Sequence, residues 1–254
     1  SEEHENPTAL VASCIREGTG AQPVIAIDPA TPFFVFDGLR NEMPEAQFLN
    51  GACVTAACRM IKSKNEIALI QFAMNLTLKV QRAAARILKP GISTLDVQDF
   101  LAKAHIKLGS DSPPPFRIVL FGQPTAYPHG VPYPQELKEG DMVLIDTGAP
   151  VDGYFSDITR SYVFGEPTSR QREIWNLEQR AQAAAFEAAQ VGTPAEQVDR
   201  AARRVIEDAG FGPGYKVPGL AHRTGHGIGL DVHEETYIVE GNQTPLAPGM
   251  CFSN

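Results

Sequence analysis

The sequence predicts an α+β fold in which one unit, a pair of helices followed by strands, occurs twice. Apolar residues recur every three or four positions through residues 69–87 and again through later segments, which is the period of a helix with one buried face. A second helix pair follows with six landmarks, each 101 residues after its partner. A glycine turn leading into a buried strand at 137–146 also returns at 246–254, 109 residues later. We interpret these offsets as an internal duplication with pseudo-two-fold symmetry.

The first helix pair follows residue 62 and is interrupted at Pro90-Gly91. The inward-facing residues expected on the first helix are Leu69, Ala73, Leu76, Val80, Ala83 and Ile87. Those expected on the second helix are Val97, Leu101, Ala104 and Leu108, with Gly109 as the stop.

The second helix pair begins at Thr168, where Gln171 completes a capping box. Its second helix is predicted to open with another capping box, from Thr193 to Glu196, with Pro194 at the first helical position. The six matched landmarks are Gly91 and Gly192, Val97 and Val198, Leu101 and Ala202, Ala104 and Val205, Leu108 and Ala209, and Gly109 and Gly210.

Residues 1–61 are predicted to form a separate, small α/β piece. A helix is expected from Pro7 to Gly18. Short apolar runs at 24–27 and 33–36 are typical of strands. The segment has too little apolar material for a complete domain.

Composition excludes several function classes. The 254 residues carry a formal net charge of −8 with a pI of about 5.3, which argues against nucleic acid or an anionic membrane as partner. No apolar run reaches the roughly 18–20 residues of a membrane span, and the polar residues 1–6 do not resemble a secretory signal. The cysteines match no zinc pattern and are expected to be buried or half-buried thiols, so a cytoplasmic location is predicted: Cys14, Cys53, Cys58 and Cys251.

Two aspartates indicate a metal site. Asp146 ends a run of four apolar residues, and a carboxylate there is costly to bury without a compensating cation or partner. Asp157 follows a glycine-rich turn and leads into the next strand, so both carboxylates can point at one spot. Either aspartate alone is more typical of a turn cap. The pair together with nearby histidines favours a site.

Four of the six histidines fall in two short stretches: His129, and His222, His226 and His233. Glycines at 225, 227 and 229 disfavour a helix there and let the backbone pass close to a ligand. Imidazole serves both as a metal ligand and as a proton shuttle near neutral pH. The glycines do not form a dinucleotide fingerprint, no Walker lysine is present, and an HExxH motif is absent.

Taken together, these motifs resemble the pita-bread (M24-type) metallopeptidases, which include methionine aminopeptidases, Xaa-Pro aminopeptidases and Xaa-Pro dipeptidases (prolidases). The spacings that carry the resemblance are eleven residues from Asp146 to Asp157, four from His222 to His226 and seven from His226 to His233, with His129 between Pro128 and Gly130. The resemblance implies a pita-bread (creatinase/aminopeptidase) catalytic domain at 62–254. It also implies that 1–61 is the end of a creatinase-like N-terminal domain.

Carried over by position, the resemblance assigns Asp146, Asp157 and His226 as metal ligands. Two glutamates from the second half complete the family's site, and the first would be residue 255, which is also the position that the repeat matches to Asp146. We therefore expect the sequence to belong to a longer chain, truncated here at both ends and lacking its C-terminal strands. A polypeptide ending at Asn254 is expected to be inactive and poorly stable.

Other residues receive roles from the same resemblance. His129 and His233 would polarise the substrate carbonyl and help to move protons. His222 would act in catalysis and bind substrate, Arg223 would meet a substrate carboxylate, and Thr159 would hydrogen-bond near the metals.

The implied reaction is hydrolysis of the Xaa-Pro bond by a hydroxide that bridges two divalent metals, with Mn²⁺ preferred and Co²⁺ or Zn²⁺ as alternatives. The predicted substrate is a proline-containing dipeptide, and the predicted assembly is a homodimer. An Xaa-Pro aminopeptidase acting on longer peptides is the nearest alternative, and a metal-free creatinase-like enzyme or a non-catalytic pita-bread module that binds peptides or proteins is a further one. Retention of Asp146, Asp157 and His226 favours an active metalloenzyme.

Overall fold

The computed structural model describes residues 4–19 and 22–254. The chain divides into two compact units, Ser1–Cys58 and Arg59–Asn254. Residues 1–3, part of the polar start that argues against a secretory signal, lie outside the described residues. Within the described ranges, no helix combines the length and the apolar character needed to cross a bilayer.

The first unit contains short helices and one pair of strands. In chain order these are α1 (Pro7–Gly18), β1 (Val24–Ile27), α2 (Phe33–Glu42), β2 (Gln47–Asn50) and α3 (Ala52–Met60), whose last turn belongs to the second unit. The predicted first helix is confirmed, with the Asn6 side chain accepting from the Thr8 amide at its start. Strands β1 and β2 run parallel, with Val24 opposite Gln47.

The predicted strand at residues 33–36 is wrong, because these residues form the first turn of α2. Three-residue spacing places Phe36 and Leu39 on one face of this helix, where Leu39 is buried and the Phe36 ring meets Phe48 edge-on at 5.3 Å. Phe33 and Phe34 stay more than 70% exposed. Packing of one helical face therefore outweighs the strand preference of an aromatic run.

The cysteines are less buried than predicted. Cys14, Cys53 and Cys58 are exposed, and only Cys251 is partly covered. The first three lie on α1 and α3, on helix faces that the small first unit does not cover.

The first half of the second unit combines two helices with an antiparallel sheet. Its elements are α4 (Lys64–Ile87), α5 (Thr94–Leu108), β3 (Phe116–Phe121), β4 (Met142–Gly148), β5 (Pro150–Val151), β6 (Tyr154–Phe155) and β7 (Ile158–Val163), with a 3₁₀ turn at Gln123–Ala126. The three long strands are ordered β3–β4–β7, so β4 is central. Residues from both helices and from this sheet form one core, which includes Leu76, Val80, Val97, Leu101, Val119, Phe121, Val143 and Ile145.

Helix α4 begins with a capping box between Ser63 and Glu66. Its predicted inward residues Ala73, Leu76 and Val80 are buried, whereas Leu69, Ala83 and Ile87 are only partly buried. Two polar side chains, Thr77 and Gln81, take places in the buried face.

The second half repeats the helix pair. Its elements are α6 (Ser169–Ala188), α7 (Ala195–Asp208), β8 (Gly225–Gly227) and β9 (Glu234–Ile238). The predicted capping box of Thr168 and Gln171 is confirmed. Strands β8 and β9 pair antiparallel with an irregular register. A second core joins α6, α7 and β9 through Leu177, Ala181, Ala185, Val198, Ala202 and Ile238.

The predicted capping box at the start of α7 is wrong. Pro194 is the N-cap, and no side chain in the described residues caps this helix. The carbonyl of Thr193 accepts from the Leu246 amide at 2.9 Å, so residue 193 belongs to an extended ladder and the helix starts later. Glu196 accepts from Gly241 and Arg200 instead of closing a box.

Matching hydrogen bonds confirm the duplication. The Gly91 amide donates to the Leu137 carbonyl at 2.8 Å, and the Gly192 amide donates to the Leu246 carbonyl at 2.7 Å. Gly91 and Gly192 both adopt positive φ, +81° and +88°. Helices α5 and α7 start at residues 94 and 195, again 101 residues apart. The two halves therefore share a backbone arrangement as well as a repeated sequence spacing.

Candidate metal centre

Asp146 is placed by the alternation of strand β4. Val143, Ile145 and Thr147 are fully buried on one face, so the two-residue period turns Asp146 to the opposite face of the sheet. Its partner across the strand pair is Thr159 on β7. Asp157 directly precedes β7, two residues before Thr159. Both predicted carboxylates therefore lie at the same end of one strand pair.

The surroundings of Asp146 disfavour its charged form. Burial, and then the neighbouring charge of Asp157, raise the pKa of Asp146 to about 6, while hydrogen bonding from Thr159 acts in the opposite direction. Among the residues that the structure describes, Oδ1 of Asp146 is buried without a hydrogen-bond partner. A buried carboxylate oxygen left in this way requires a proton or a cation. This oxygen fits a divalent metal ligand.

His226, on β8, faces the carboxylates with a defined tautomer. Its Nδ1 lies 3.0 Å from the carbonyl oxygen of Gly227, and because a carbonyl only accepts, Nδ1 carries the proton. Nε2 then keeps its lone pair and lies 3.3 Å from Oδ2 of Asp157. Nε2 of His226 and Oδ2 of Asp157 are both acceptors and face each other. They are therefore suited to bind one metal ion between them, at ligand distances of about 2.0–2.2 Å.

His233 completes the cluster from the loop that leads into β9. Its ring centroid lies 4.1 Å from that of His226, with the rings tilted by 68°. Ligand atoms of Asp157, His226 and His233 all lie within 4.8 Å of one another. Burial, and then the neighbouring His226 and Arg223, lowers the pKa of His233. The neutral ring therefore offers a lone pair for a metal or a proton.

The glycines around His226 serve backbone contacts. A Cβ at Gly225 would stand 1.9 Å from the Ser253 carbonyl oxygen, and one at Gly227 would stand 2.4 Å from the Glu235 carbonyl oxygen. The backbone of His226 is held by Ser253, whose amide donates to the His226 carbonyl at 2.8 Å. The sequence suggested that these glycines let the backbone pass close to a ligand. In the structure, Gly225 and Gly227 instead let neighbouring backbone segments come close to each other.

The remaining predicted residues lie around the cluster. His129 is exposed in the loop before β4, and its charge contributes to the lowered pKa of His233. His222 is exposed and outside the metal-type group formed by the described residues, with Nδ1 bonded to the Arg223 carbonyl at 2.7 Å. The Arg223 guanidinium lies over the Tyr237 ring, 4.8 Å from its centroid. The structure thus brings together ligand atoms of Asp157, His226 and His233, with Asp146 beside Asp157 but outside that group, and leaves His222 and Arg223 on the loop before β8.

A buried ion pair on α7 anchors the loop between α7 and β8, which carries His222 and Arg223. Arg203 binds both oxygens of Asp199, through Nε at 2.6 Å and Nη2 at 3.2 Å. Its other donors reach three loop carbonyls, those of Gly214, Leu220 and His222. All five guanidinium hydrogens are thereby used. The same Asp199 accepts from the amide and hydroxyl of Thr224, so the loop between α7 and β8 is tied at several points.

A second charged cluster fixes the residue after His233. Glu234 is buried and binds Lys62 Nζ and Arg59 Nη2, each at 2.5 Å. Arg59 also binds Asp231 at 2.8 Å. These contacts hold the loop that carries His233 against the segment before α4.

A series of buried polar side chains is hydrogen-bonded to Ser156, the residue before Asp157. His105 donates from Nδ1 to the Leu101 carbonyl at 2.8 Å, and its Nε2 lies 3.1 Å from the Thr77 hydroxyl. That hydroxyl lies 2.8 Å from the hydroxyl of Ser156, the residue before Asp157. All three side chains are buried.

Sequence reasoning missed these supporting residues. A signal was present, because Thr77 and Gln81 interrupt an apolar helical face at adjacent turns, and Asp199 and Arg203 do the same on α7. A polar residue at a core position is informative, since it needs a partner.

Comparison with known proteins places the chain in a family. The sequence model of metallopeptidase family M24 matches residues 68–254. The chain is 44% identical over 196 residues to the "probable dipeptidase PepE" of Mycobacterium tuberculosis, which covers 77% of this chain and 51% of that protein. The chain therefore spans about half the length of this curated relative.

Solved structures agree with this likeness. The recombinant prolidase of Thermococcus sibiricus superposes with a TM-score of 0.88 at 33% identity, covering 98% of this chain and 66% of that one. The X-Pro aminopeptidase of Thermotoga maritima gives a TM-score of 0.84 at 25% identity, covering 99% and 70%. The predicted pita-bread fold is confirmed by these matches, and the chain belongs to metallopeptidase family M24.

Proposed function

We propose that the protein is a metal-dependent peptidase that hydrolyses the Xaa-Pro bond, with dipeptides as its preferred substrates. One observation carries the proposal: Asp146, a buried carboxylate with an unpaired oxygen, lies beside Asp157, whose ligand atom lies within 4.8 Å of those of His226 and His233. A structural ion pair would have supplied a lysine or arginine there. Among the described residues, the nitrogen that faces Asp157 is instead Nε2 of His226, at 3.3 Å from Oδ2.

The metal centre is proposed to use Asp146, Asp157 and His226 as ligands from this chain. Carboxylate and imidazole donors suit Mn²⁺, with Co²⁺ and Zn²⁺ as alternatives. Two divalent ions held there would supply Lewis acidity that activates water at neutral pH and polarises the peptide carbonyl. The proposal of two ions follows the resemblance to the pita-bread metallopeptidases.

Residues of the chain would orient the substrate and move protons. The nitrogen of an Xaa-Pro bond is a tertiary amide with no N–H, so it must be protonated as it leaves. His233 is neutral and lies beside the ligands, which suits it to take and return a proton. His129 lies close enough for its charge to act on His233, and we propose that it hydrogen-bonds the substrate carbonyl.

Substrate capture is assigned to the tied loop between α7 and β8. His222 and Arg223 are proposed to bind the substrate, with Arg223 meeting the carboxylate of the C-terminal proline. Its guanidinium is oriented by stacking on Tyr237, and stacked arginine retains its in-plane donors for a carboxylate.

The whole-chain assignments remain proposals. We propose that 1–61 is part of a creatinase-like N-terminal domain and that 62–254 is a pita-bread catalytic domain, a division that the compact units Ser1–Cys58 and Arg59–Asn254 support. Homodimeric assembly and a cytoplasmic location remain predictions from the sequence.

The test is hydrolysis by the full-length protein. Purified protein loaded with Mn²⁺ should cleave Ala-Pro, and Asp157→Asn should abolish cleavage. Asp99→Asn is the matched control, since Asp99 is 61% exposed and its ion-pair partner among the described residues is Lys103 on the helix surface. Loss of activity in the control, or retention of activity in Asp157→Asn, would contradict the assignment.

An aminopeptidase acting on longer peptides is the second candidate. The likeness to the Thermotoga maritima X-Pro aminopeptidase favours it, and the chemistry would be the same. Ala-Pro and Ala-Pro-Ala should be compared as substrates. Preference for the dipeptide supports our proposal, whereas cleavage of the tripeptide alone would replace it with the aminopeptidase.

A further inference from the structure

Arg223 is a cation without a charged partner. Its side chain is partly buried, and its guanidinium lies over the Tyr237 ring, 4.8 Å from the centroid. Among the residues that the structure describes, no carboxylate forms an ion pair with it. After burial and the neighbouring His226, Arg223 is the next cause that lowers the pKa of His233, so its charge is felt at the proposed centre. Its donors are therefore available to an anionic group of the substrate.

One buried ion pair fixes the backbone on both sides of Arg223. Nη2 of Arg203 donates to the carbonyl of His222 at 2.5 Å. Oδ1 of Asp199 accepts from the amide and from the hydroxyl of Thr224, at 3.0 Å and 2.7 Å. The residues directly before and after Arg223 are thus both held from α7. Because the flanking peptide groups set the direction of a Cα–Cβ bond, the ion pair directs the Arg223 side chain.

Strand β9 holds the other end of the same side chain. Tyr237, on β9, supplies the ring on which the Arg223 guanidinium is stacked. The next residue of that strand, Ile238, accepts from the Thr224 amide at 3.1 Å through its carbonyl. The backbone and the guanidinium of Arg223 are therefore fixed against one strand. A side chain ordered before binding loses less conformational entropy when it captures a ligand.

The ion pair occupies a place that apolar side chains could fill. The side chains of Asp199 and Arg203 are 0% and 6% exposed, and the Tyr215 ring covers the guanidinium at 3.8 Å from its centroid. Two charges are costly to remove from water, and apolar residues of similar volume are often as stable. Every hydrogen of the Arg203 guanidinium that does not meet Asp199 reaches a loop carbonyl. The distinctive contribution of the pair is therefore the position of this loop.

We infer that Asp199 and Arg203 are positioning residues that give the protein a preference for peptides with a free carboxylate on the proline. They act through Arg223, which they hold in place for that carboxylate, and neither touches the substrate. In a longer peptide the proline carboxyl is part of the next peptide bond, so the pair favours dipeptides. The inference rests on the proposed function and on the role proposed there for Arg223.

The experiment compares Ala-Pro with Ala-prolinamide, which lacks the carboxylate, as substrates of the full-length protein loaded with Mn²⁺. Arg203→Lys keeps a positive charge beside Asp199 but loses the planar set of donors that reaches the loop carbonyls. Arg200→Lys is the matched control. Arg200 lies on the same helix and binds Glu196 at the same four-residue spacing, and it is 54% exposed.

We expect wild type to favour Ala-Pro over Ala-prolinamide by about 10–100-fold in kcat/KM, the effect of one hydrogen bond to a charged group. Arg203→Lys should raise KM for Ala-Pro about tenfold with kcat close to wild type, while kcat/KM for Ala-prolinamide changes by less than about twofold. Arg200→Lys should match wild type with both substrates. A purely structural pair would change stability and leave this selectivity unaltered.

Thr224→Val is a second variant, for use if Arg203→Lys does not fold. It leaves the buried ion pair intact and removes the hydroxyl that donates to Asp199. KM for Ala-Pro should rise about threefold, again with little change for Ala-prolinamide.

An unchanged KM for Ala-Pro in Arg203→Lys, or in Thr224→Val if the first variant does not fold, would overturn the inference. An equal loss with both substrates would overturn it as well. If wild type cleaves both substrates equally, the role of Arg223 fails, and the inference fails with it. If wild type cleaves neither, the proposed function itself is wrong, and the inference falls too.

Discussion

The two halves of the second unit share one frame but hold their functional residues differently. In the first half, Asp146 lies within the regular pairing of β4 and β7, Asp157 directly precedes β7, and one face of this sheet belongs to a large apolar core. In the second half, His226 sits on a three-residue strand whose register is irregular, and the loop before it is tied by one buried ion pair. The duplication has thus kept the helices and turns and has let the ligand-bearing segments diverge.

This difference shows which contacts fix the positions of the proposed ligands in each half. A strand ladder fixes carboxylates through many backbone bonds, so single side chains matter less. The histidine segment lacks a long ladder and depends on charged anchors. Variants in the second half should therefore separate the functions of its residues more sharply than variants in the first.

The largest expected effect separates His226 from His233. His226→Ala removes a proposed ligand and should lower Mn²⁺ affinity by more than the roughly 10–100-fold typical of outer residues. His233→Ala removes a proton carrier and should lower kcat by about 10²–10⁴-fold while leaving metal affinity close to wild type. Calorimetry and steady-state kinetics measure the two effects. Equal loss of metal in both variants would make His233 a ligand.

The next effect concerns the anchor of the histidine segment. Arg203→Met leaves Asp199 buried and unpaired, and should destabilise the protein by about 3–5 kcal/mol in urea unfolding. The double change Asp199→Asn with Arg203→Met should cost less than the single change, because the orphan charge is gone.

An exposed pair in the first half supplies the control for this anchor. Lys103→Met breaks another i,i+4 pair, to Asp99, and should cost less than about 1 kcal/mol because Lys103 is 76% exposed. A similar cost for Arg203→Met and Lys103→Met would show that the loop is held by other contacts.

A smaller effect is pH-dependent and specific to the first half. Burial lowers the pKa of His105 below its usual 6.5, so the unfolded chain takes up a proton that the folded chain refuses. The contribution to stability is fully present above about pH 6.5 and is lost progressively as pH falls from there toward the lowered pKa of the folded state, at up to about 1.4 kcal/mol per pH unit. The position 101 residues later is Ile206, which does not titrate.

The variant His105→Ile isolates this effect in urea unfolding between about pH 7.5 and pH 5.5. Asp146, with its raised pKa, acts in the opposite direction in metal-free protein, because protonation near pH 6 favours the folded state. Subtracting the variant from wild type removes that contribution. An unchanged pH slope would show that His105 is not the titrating group.

The smallest effect compares the starts of α5 and α7. Ser93 caps α5 by accepting from the Leu95 amide, whereas α7 starts at Pro194 with no side-chain cap in the described part of the chain. Ser93→Ala should cost about 1 kcal/mol. Thr193→Ala should change the free energy of unfolding by less than about 0.5 kcal/mol. Equal costs would mean that Thr193 contributes through another contact.

Most of the fold was predictable because helical periodicity and constant sequence spacings indicate it. The helix pairs, the capping box at Thr168 and the glycine turns follow from local rules, and the duplication follows from two constant spacings. The strand at 33–36 and the cap at Thr193 were mispredicted because distant packing decided them.

The residues proposed as ligands stand out in the sequence, whereas the residues that support them do not. Asp146 and His226 stand out as charged or imidazole groups in apolar or glycine-rich segments. Gln81 and Arg203 look like ordinary helix formers until the carbonyls that they bind are known. Those carbonyls belong to residues 11 to 77 positions away in sequence, and no local pattern marks them.

The central claim is that the frame holds a metal centre at Asp146, Asp157 and His226. It is tested most directly by titrating metal-free, full-length protein with Mn²⁺ in wild type, Asp146→Asn and Asp157→Asn. The account predicts about two ions bound per wild-type chain and affinity at least about 100-fold weaker in each variant. Wild-type binding in both variants, or no binding by wild type, would contradict it.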